Sequence, residues 1–235
     1  MMLGELSAAV RGAGPPLALL HGNSEDGHVF DRMLPYLDGF TLIVLDSRGH
    51  GRSPRGRRPL TIRQLAVDVC RSLLEYRRLM GQGPFGLIGF SDGANLGLEI
   101  AIHRPDLLAA EVLMGGNATP AALKPWTRAE ILAGYWGMRA AGTVSPSARR
   151  RADVWGLMVG QPGVTRSQME TVTVPTMIMV GARDVVPRRE SQAMARLIPG
   201  AEWVELAGEG HLLPRTAPRV AGELAAAFLT RQMVR

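Results

Sequence analysis

Ser91, His211 and Asp184 are the residues whose types and settings allow chemistry. Ser91 is the centre of Gly89-Phe90-Ser91-Asp92-Gly93, between the apolar run Phe85-Gly86-Leu87-Ile88 and a helix-like run over 94–101. A chain that turns sharply from strand to helix there needs small residues two positions either side of the serine, because the backbone at the turn is strained. The hydroxyl then stands at the tip, placed to attack an acyl carbon. A hydroxyl is a poor nucleophile at neutral pH, so it needs a base, a group that orients the base, and donors for the oxyanion. His211 lies in the Gly-flanked loop Gly208-Glu209-Gly210-His211, after the strand-like Trp203-Val204-Glu205-Leu206. From there it can reach a serine at the same edge of a neighbouring strand. Asp184 follows the apolar run Thr176-Met177-Ile178-Met179-Val180-Gly181, a setting from which it can orient His211 and stabilise the imidazolium. The residues alone leave a second reading open for each: a Gly-Ser-Gly pattern arising by chance, a surface or capping histidine, and a turn or helix-capping aspartate.

Two further segments carry a resemblance. His21-Gly22-Asn23 follows the strand-like Leu17-Ala18-Leu19-Leu20, and Asp46-Ser47-Arg48-Gly49-His50-Gly51-Arg52-Ser53 follows Leu42-Ile43-Val44-Leu45. With the elbow and the Asp184 and His211 segments, they make the chain resemble the α/β-hydrolases over most of its length, the second segment resembling that family's D-x-R-G-x-G-x-S turn. The resemblance implies an α/β-hydrolase fold, a mostly parallel central sheet flanked by helices, with a small helical cap inserted before the penultimate strand. It implies one domain over 1–235, with the core in 1–117 and 174–235 and the cap in about 118–173. The order Ser, Asp, His is the one this fold uses.

Carried over by position, the oxyanion hole consists of the backbone N–H groups of Asn23 and Asp92. Some relatives place the acid after the strand that precedes the cap. Here Glu111-Val112-Leu113-Met114 is followed by Gly115-Gly116-Asn117-Ala118, which holds no carboxylate, so Asp184 is the better acid. Relatives that cleave carbon–halogen bonds have an aspartate at the elbow's centre, whereas Ser91 points to acyl chemistry. His21 is expected to hold the oxyanion loop, Asp46 and Arg48 to fix the turn after their strand, and the Asp92 side chain to cap the helix it begins. The first antiparallel strand is expected to be shortened or lost.

Those signals sit in an alternation of strands and helices: strands near 6–10, 17–20, 41–45, 85–89, 111–114, 176–180 and 203–206, and helices near 61–80, 92–103, 188–198 and 214–230. The stretch 118–173 interrupts this alternation. It holds Trp126, Tyr135, Trp136 and Trp155 with Met138 and Met158. Such side chains pack a cap onto a core, or line a modest acyl pocket beneath it together with Phe90.

Composition narrows the partners. The net charge is +6, but the basic residues are spread along the chain without interleaved aromatics, and of the 27 only Lys124 is a lysine. This reads as a codon bias and a solvated surface, including the clusters 55–58 and 149–151, and not as specific nucleic-acid binding. Gly81-Gln82-Gly83-Pro84-Phe85-Gly86 matches G-x-G-x-x-G but precedes a strand, so no dinucleotide site is expected. The five histidines show no metal-ligand spacing, and no cofactor is expected. Cys70, the single cysteine, falls in a helical pattern as a buried thiol. With no leader-like segment and no apolar run of membrane-spanning length, a cytoplasmic location is the simplest expectation.

The function these features imply is a serine hydrolase acting on a small or medium acyl substrate, an ester, lactone or thioester, through an acyl-enzyme. Amide or carbon–carbon hydrolysis on the same triad is the alternative, and a slow-turnover ligand-binding receptor is a further one. The oligomeric state is not readable from the sequence.

Overall fold

The strands in the middle of the chain are apolar along most of their length, which demands cover on both faces. The computed structural model, which describes residues 1–233, supplies it. Eight strands, β1 (Met2–Leu3), β2 (Leu6–Arg11), β3 (Pro16–Leu20), β4 (Thr41–Leu45), β5 (Phe85–Phe90), β6 (Leu108–Met114), β7 (Thr176–Gly181) and β8 (Glu202–Leu206), form one sheet in the order β1-β2-β4-β3-β5-β6-β7-β8. β1 and β2 make the antiparallel edge, and every pairing from β4 to β8 is parallel. The first strand is present, shortened to two residues.

The helices are α1 (Ile62–Met80), α2 (Asp92–His103), α3 (Pro125–Ala141), α4 (Pro146–Gly160), α5 (Arg166–Glu170), α6 (Arg188–Leu197), α7 (Leu213–Thr216) and α8 (Pro218–Met233). Alternation along each strand deals its residues to two layers. Ala18, Leu20, Ile43, Leu45, Leu87 and Ile178 pack with α1, α2 and α6. Leu17, Leu19, Leu42, Val44, Ile88 and Phe90 pack with α8 and the short 3₁₀ turns of 27–36. The helix expected over 214–230 is broken in two before Pro218, because Pro lacks an N–H and is accepted at the first turn of a new helix. α3, α4 and α5 lie between β6 and β7. Among the described residues, no helix is long and apolar enough to cross a membrane.

α1 shows how local signals set these elements. Thr61 caps it by accepting the Gln64 N–H, Gly81 ends it at φ 66°, and Leu65, Val69, Leu73 and Tyr76 recur every three or four residues on its buried face. Asp68 on that helix meets Arg48 of the turn after β4, Nε to Oδ2 at 2.7 Å, with both side chains 1% exposed. The other guanidinium N–H groups of Arg48 donate to the carbonyls of Arg55, Arg58 and Pro59. Asp46 accepts from the amides of Gly27 and Arg52. The charges of this turn are thus occupied in holding it.

The sheet order also locates a crevice. From β3 the chain passes to β4 on one side and later to β5 on the other, so the loops leaving β3 and β5 diverge at their carboxyl ends.

One buried charge-bearing group sits in the sheet far from that edge. Glu111 in β6 is fully buried; among the described residues its carboxylate has one hydrogen bond, from Thr176 Oγ1 at 3.2 Å, and burial pushes its pKa up to about 8. The folded chain therefore keeps a proton that the unfolded chain releases above its ordinary value of 4.5, and the stability Glu111 allows at low pH is lost as pH rises toward about 8. Glu111→Gln keeps the acceptor for Thr176 and removes the titration. Urea unfolding at pH 5 and pH 8 should show the variant more stable than the parent at the higher pH, by a few kcal/mol at ~1.4 kcal/mol per pKa unit, and much closer to it at the lower. An equal difference at both pH values would exclude this account.

Candidate active site

Ser91 holds the bond between β5 and α2 at φ 54° and ψ −117°, a conformation that non-glycine residues rarely adopt. The neighbours explain how it is kept. A Cβ on Gly89 would overlap the Gly93 carbonyl, and a Cβ on Gly93 would overlap the Leu20 carbonyl of β3, so both positions require glycine for close approach. The Ser91 N–H donates to the Met114 carbonyl at 2.8 Å, and the Ser91 carbonyl accepts from Ala94 and Asn95. The strained residue is clamped between two strands and the first turn of α2.

His211 and Asp184 arrive on adjacent loops, after β8 and β7. The loops are joined through their backbones: Arg183 N–H donates to the Glu209 carbonyl at 2.8 Å, and a Cβ on Gly181 would overlap the Gly210 carbonyl. His211 Nδ1 lies 2.8 Å from Asp184 Oδ1, and its Nε2 lies 3.0 Å from Ser91 Oγ. With Nδ1–H donating to the carboxylate, Nε2 carries the lone pair and accepts from the serine hydroxyl. Asp184 Oδ1 also accepts the Val186 N–H at 3.0 Å, and its side chain is fully buried. Gly115, at φ 63° after β6, leaves room for this pair. A Cβ there would stand 2.8 Å from His211 Cε1 and 3.3 Å from Asp184 Oδ2. The Phe90 ring packs on the imidazole with centroids 5.1 Å apart.

The loop after β3 completes the edge. His21 is buried and neutral: burial lowers its pKa, Nδ1–H donates to the Gly22 carbonyl at 2.7 Å, and Nε2 accepts the Ser47 N–H at 2.9 Å. It ties this loop to the turn after β4. Among the described residues, the amides of Asn23 and Asp92 donate to no protein acceptor. The Asn23 side chain donates to Asp92 Oδ2 at 3.0 Å and to the Val154 carbonyl of α4 at 2.9 Å. This corrects the reading of Asp92 as a helix cap. Its carboxylate takes Asn23 and Asn95 as partners, and burial raises its pKa, those two donors opposing the rise only in part.

The cap aromatics named from the sequence divide. Trp155 lines a cleft between α4 and the 24–26 turn, its ring lying where a Cβ on Gly134 would clash. Tyr135 packs α3 on α4 beside Gly156 and meets Trp136 edge-on at 5.1 Å. Trp126 and Trp136 are each 63% exposed, outside that cleft. Neither ring is buried against the core, because residue type does not reveal which side of a helix the core occupies.

Sequence reasoning missed Gly115, whose positive φ leaves no mark beyond the glycine itself. It also missed Glu25, three residues after Gly22. A Cβ on Gly22 would stand 3.0 Å from Glu25 Oε2 and 3.1 Å from Ser91 Cβ, so this carboxylate shares the serine's surroundings. Burial raises its pKa, with Arg215, 3.7 Å away, as the main opposing influence.

Known proteins resemble this chain over part or most of its length. Residues 15–149 match the family described as alpha/beta hydrolase fold. Lipase LipV of Mycobacterium tuberculosis is 35% identical over 103 residues, 43% of this chain and 38% of that protein, so the chain spans little more than a third of that relative's length. The pimeloyl-[acyl-carrier protein] methyl ester esterase of Methylococcus capsulatus is 26% identical over 223 residues, 80% of this chain and 84% of that one. The solved structure of a thermophilic esterase from Thermogutta terrifontis is similar in fold, with a TM-score of 0.78 at 23% identity over 96% of this chain and 93% of that one. The family match over more than half the chain, joined to this sheet order and elbow, places the protein among the hydrolases of α/β fold: it belongs to the α/β-hydrolase family.

Proposed function

We propose that the chain is a serine hydrolase that cleaves a carboxylic ester, lactone or thioester of a small or medium substrate through an acyl-enzyme. The observation that carries this reading is the unbroken relay from Asp184 Oδ1 through His211 to Ser91 Oγ, at 2.8 and 3.0 Å. Support also comes from two relatives, one named a lipase and one a methyl ester esterase.

In this mechanism Ser91 Oγ attacks the acyl carbon as His211 Nε2 takes its proton, and Asp184 stabilises the imidazolium. The tetrahedral oxyanion lies between the amides of Asn23 and Asp92, each such donor being worth about 3–4 kcal/mol to the transition state. Collapse breaks the bond to the alcohol or thiol, which leaves with the proton from Nε2. A water then gives its proton to Nε2 and attacks the acyl carbon, releasing the acid and restoring the Ser91 hydroxyl. The strained backbone of Ser91 keeps Oγ forward through both halves.

Three outcomes test this. Ser91→Ala should abolish both fluorophosphonate labelling and steady-state ester turnover while the melting temperature stays close to that of the parent, since little volume is lost. Labelling that persists would remove Ser91 from the role, and a single burst without steady turnover in the parent would favour a receptor. Asp184→Asn should lower kcat by orders of magnitude, about 10⁴ as in other triads, with KM changed far less. Finally, across nitrophenyl esters of graded acyl length, Trp155→Ala should shift the preferred length and Trp126→Ala should leave it in place. The reverse pattern would relocate the acyl pocket.

A further inference from the structure

Between the turn that follows Asn23 and helix α4 lies an open cleft of about 880 Å³. Glu25 and Asp26 line its core side, Arg150, Arg151 and Trp155 its cap side, and Arg215, four residues after His211, stands at its rim. The bond from Asn23 to the Val154 carbonyl holds α4 against this turn, so the cap-side charges keep a set distance from the proposed oxyanion site.

The charges on the two sides differ in what occupies them. Glu25 faces Arg215 at 3.7 Å, and Asp26 accepts the His28 N–H at 3.0 Å. On α4, Asp153 turns to Arg55 at 3.6 Å, and among the described residues no carboxylate comes within 4.0 Å of the Arg150 or Arg151 guanidinium. The residues 118–173 hold seven basic side chains against three acidic ones, a surplus of four out of the chain's net six. Positive charge is thus concentrated in the element that covers the site. Two adjacent guanidinium groups present planar forks suited to carboxylate or phosphate oxygens, and the indole of Trp155 offers an apolar wall to a chain leading there.

We infer that this cleft is a subsite for an anionic group, a carboxylate or a phosphate, which the substrate carries away from its scissile carbonyl and which Arg150 and Arg151 bind. The arginine cluster 149–151 is then in part a specificity device. The inference rests on the reading of Ser91 as the acyl acceptor, and it narrows the substrate class to acyl compounds with an anionic end.

Binding to the Ser91→Ala protein tests it apart from turnover. Calorimetric titration compares monomethyl adipate with dimethyl adipate, and hexanoyl-coenzyme A with S-hexanoyl-N-acetylcysteamine, so that the two pairs distinguish a carboxylate source from a phosphate source. The charged member of at least one pair should bind about tenfold more tightly, the contribution of one charge-assisted contact. That preference should shrink at high salt and vanish when Arg150→Glu and Arg151→Glu are added, both being exposed side chains that the fold does not need. Absence of the preference in both pairs, or its survival in the arginine variant, overturns the subsite. If the preference is present and wild-type protein hydrolyses none of the four compounds, the subsite stands and the hydrolase reading of Ser91 fails instead.

Discussion

The close approach of the elbow to β3 is the constraint on which the rest depends. Gly93 lies so near the Leu20 carbonyl, and Gly89 so near the Gly93 carbonyl, that any side chain at either position would force the turn away from the sheet. Crowding of that kind fixes Ser91 in its unfavourable φ, and the cost is borne because bonds to Met114, Ala94 and Asn95 hold the residue on both sides. The same crowding brings the end of β3, with the loop of His21 and Asn23, within reach of the serine. A site assembled from loops after β3, β5, β7 and β8 therefore inherits its precision from backbone contacts within the sheet more than from the side chains themselves.

The polar groups near this edge fall into two populations. His21 and Arg48 are buried and satisfied on every side, and Asp46 is bonded to two backbone amides, so all three hold turns in place. His211 differs: it is partly exposed, has one ring nitrogen on a buried carboxylate and turns the other to a hydroxyl. Burial with full satisfaction fits a structural role, and partial exposure with a directed lone pair fits the chemical role proposed for His211. Two histidines in Gly-containing loops are told apart by this environment and not by residue type.

Much of this was legible in the sequence because it rests on local rules. Continuous apolar runs ended by glycine-rich loops gave away β3, β4, β5 and β7, and the residues just past them are those that the fold brings together. What stayed hidden depends on contacts between distant segments. Asp92 follows a helix-capping rule locally, yet its carboxylate is drawn to an amide on Asn23, 69 residues earlier. Trp126 and Trp136 have the composition of core residues, but a short cap has only one inner face and they fall on the other. The role of Gly115 needs the positions of three strands at once, which no window of sequence contains.

The side chain of Asn23 touches three parts of the molecule: its own loop, the elbow through Asp92, and the cap through Val154. Any displacement of α4 would therefore pull on Asn23, the residue proposed above as an oxyanion donor. The position of α4 and the geometry of the loop after β3 are coupled through these bonds, so whatever seats the helix also tightens the loop, and by reciprocity an occupied loop favours a seated helix. Under the proposed function, residence of the bound molecule and readiness for reaction would then rise and fall together.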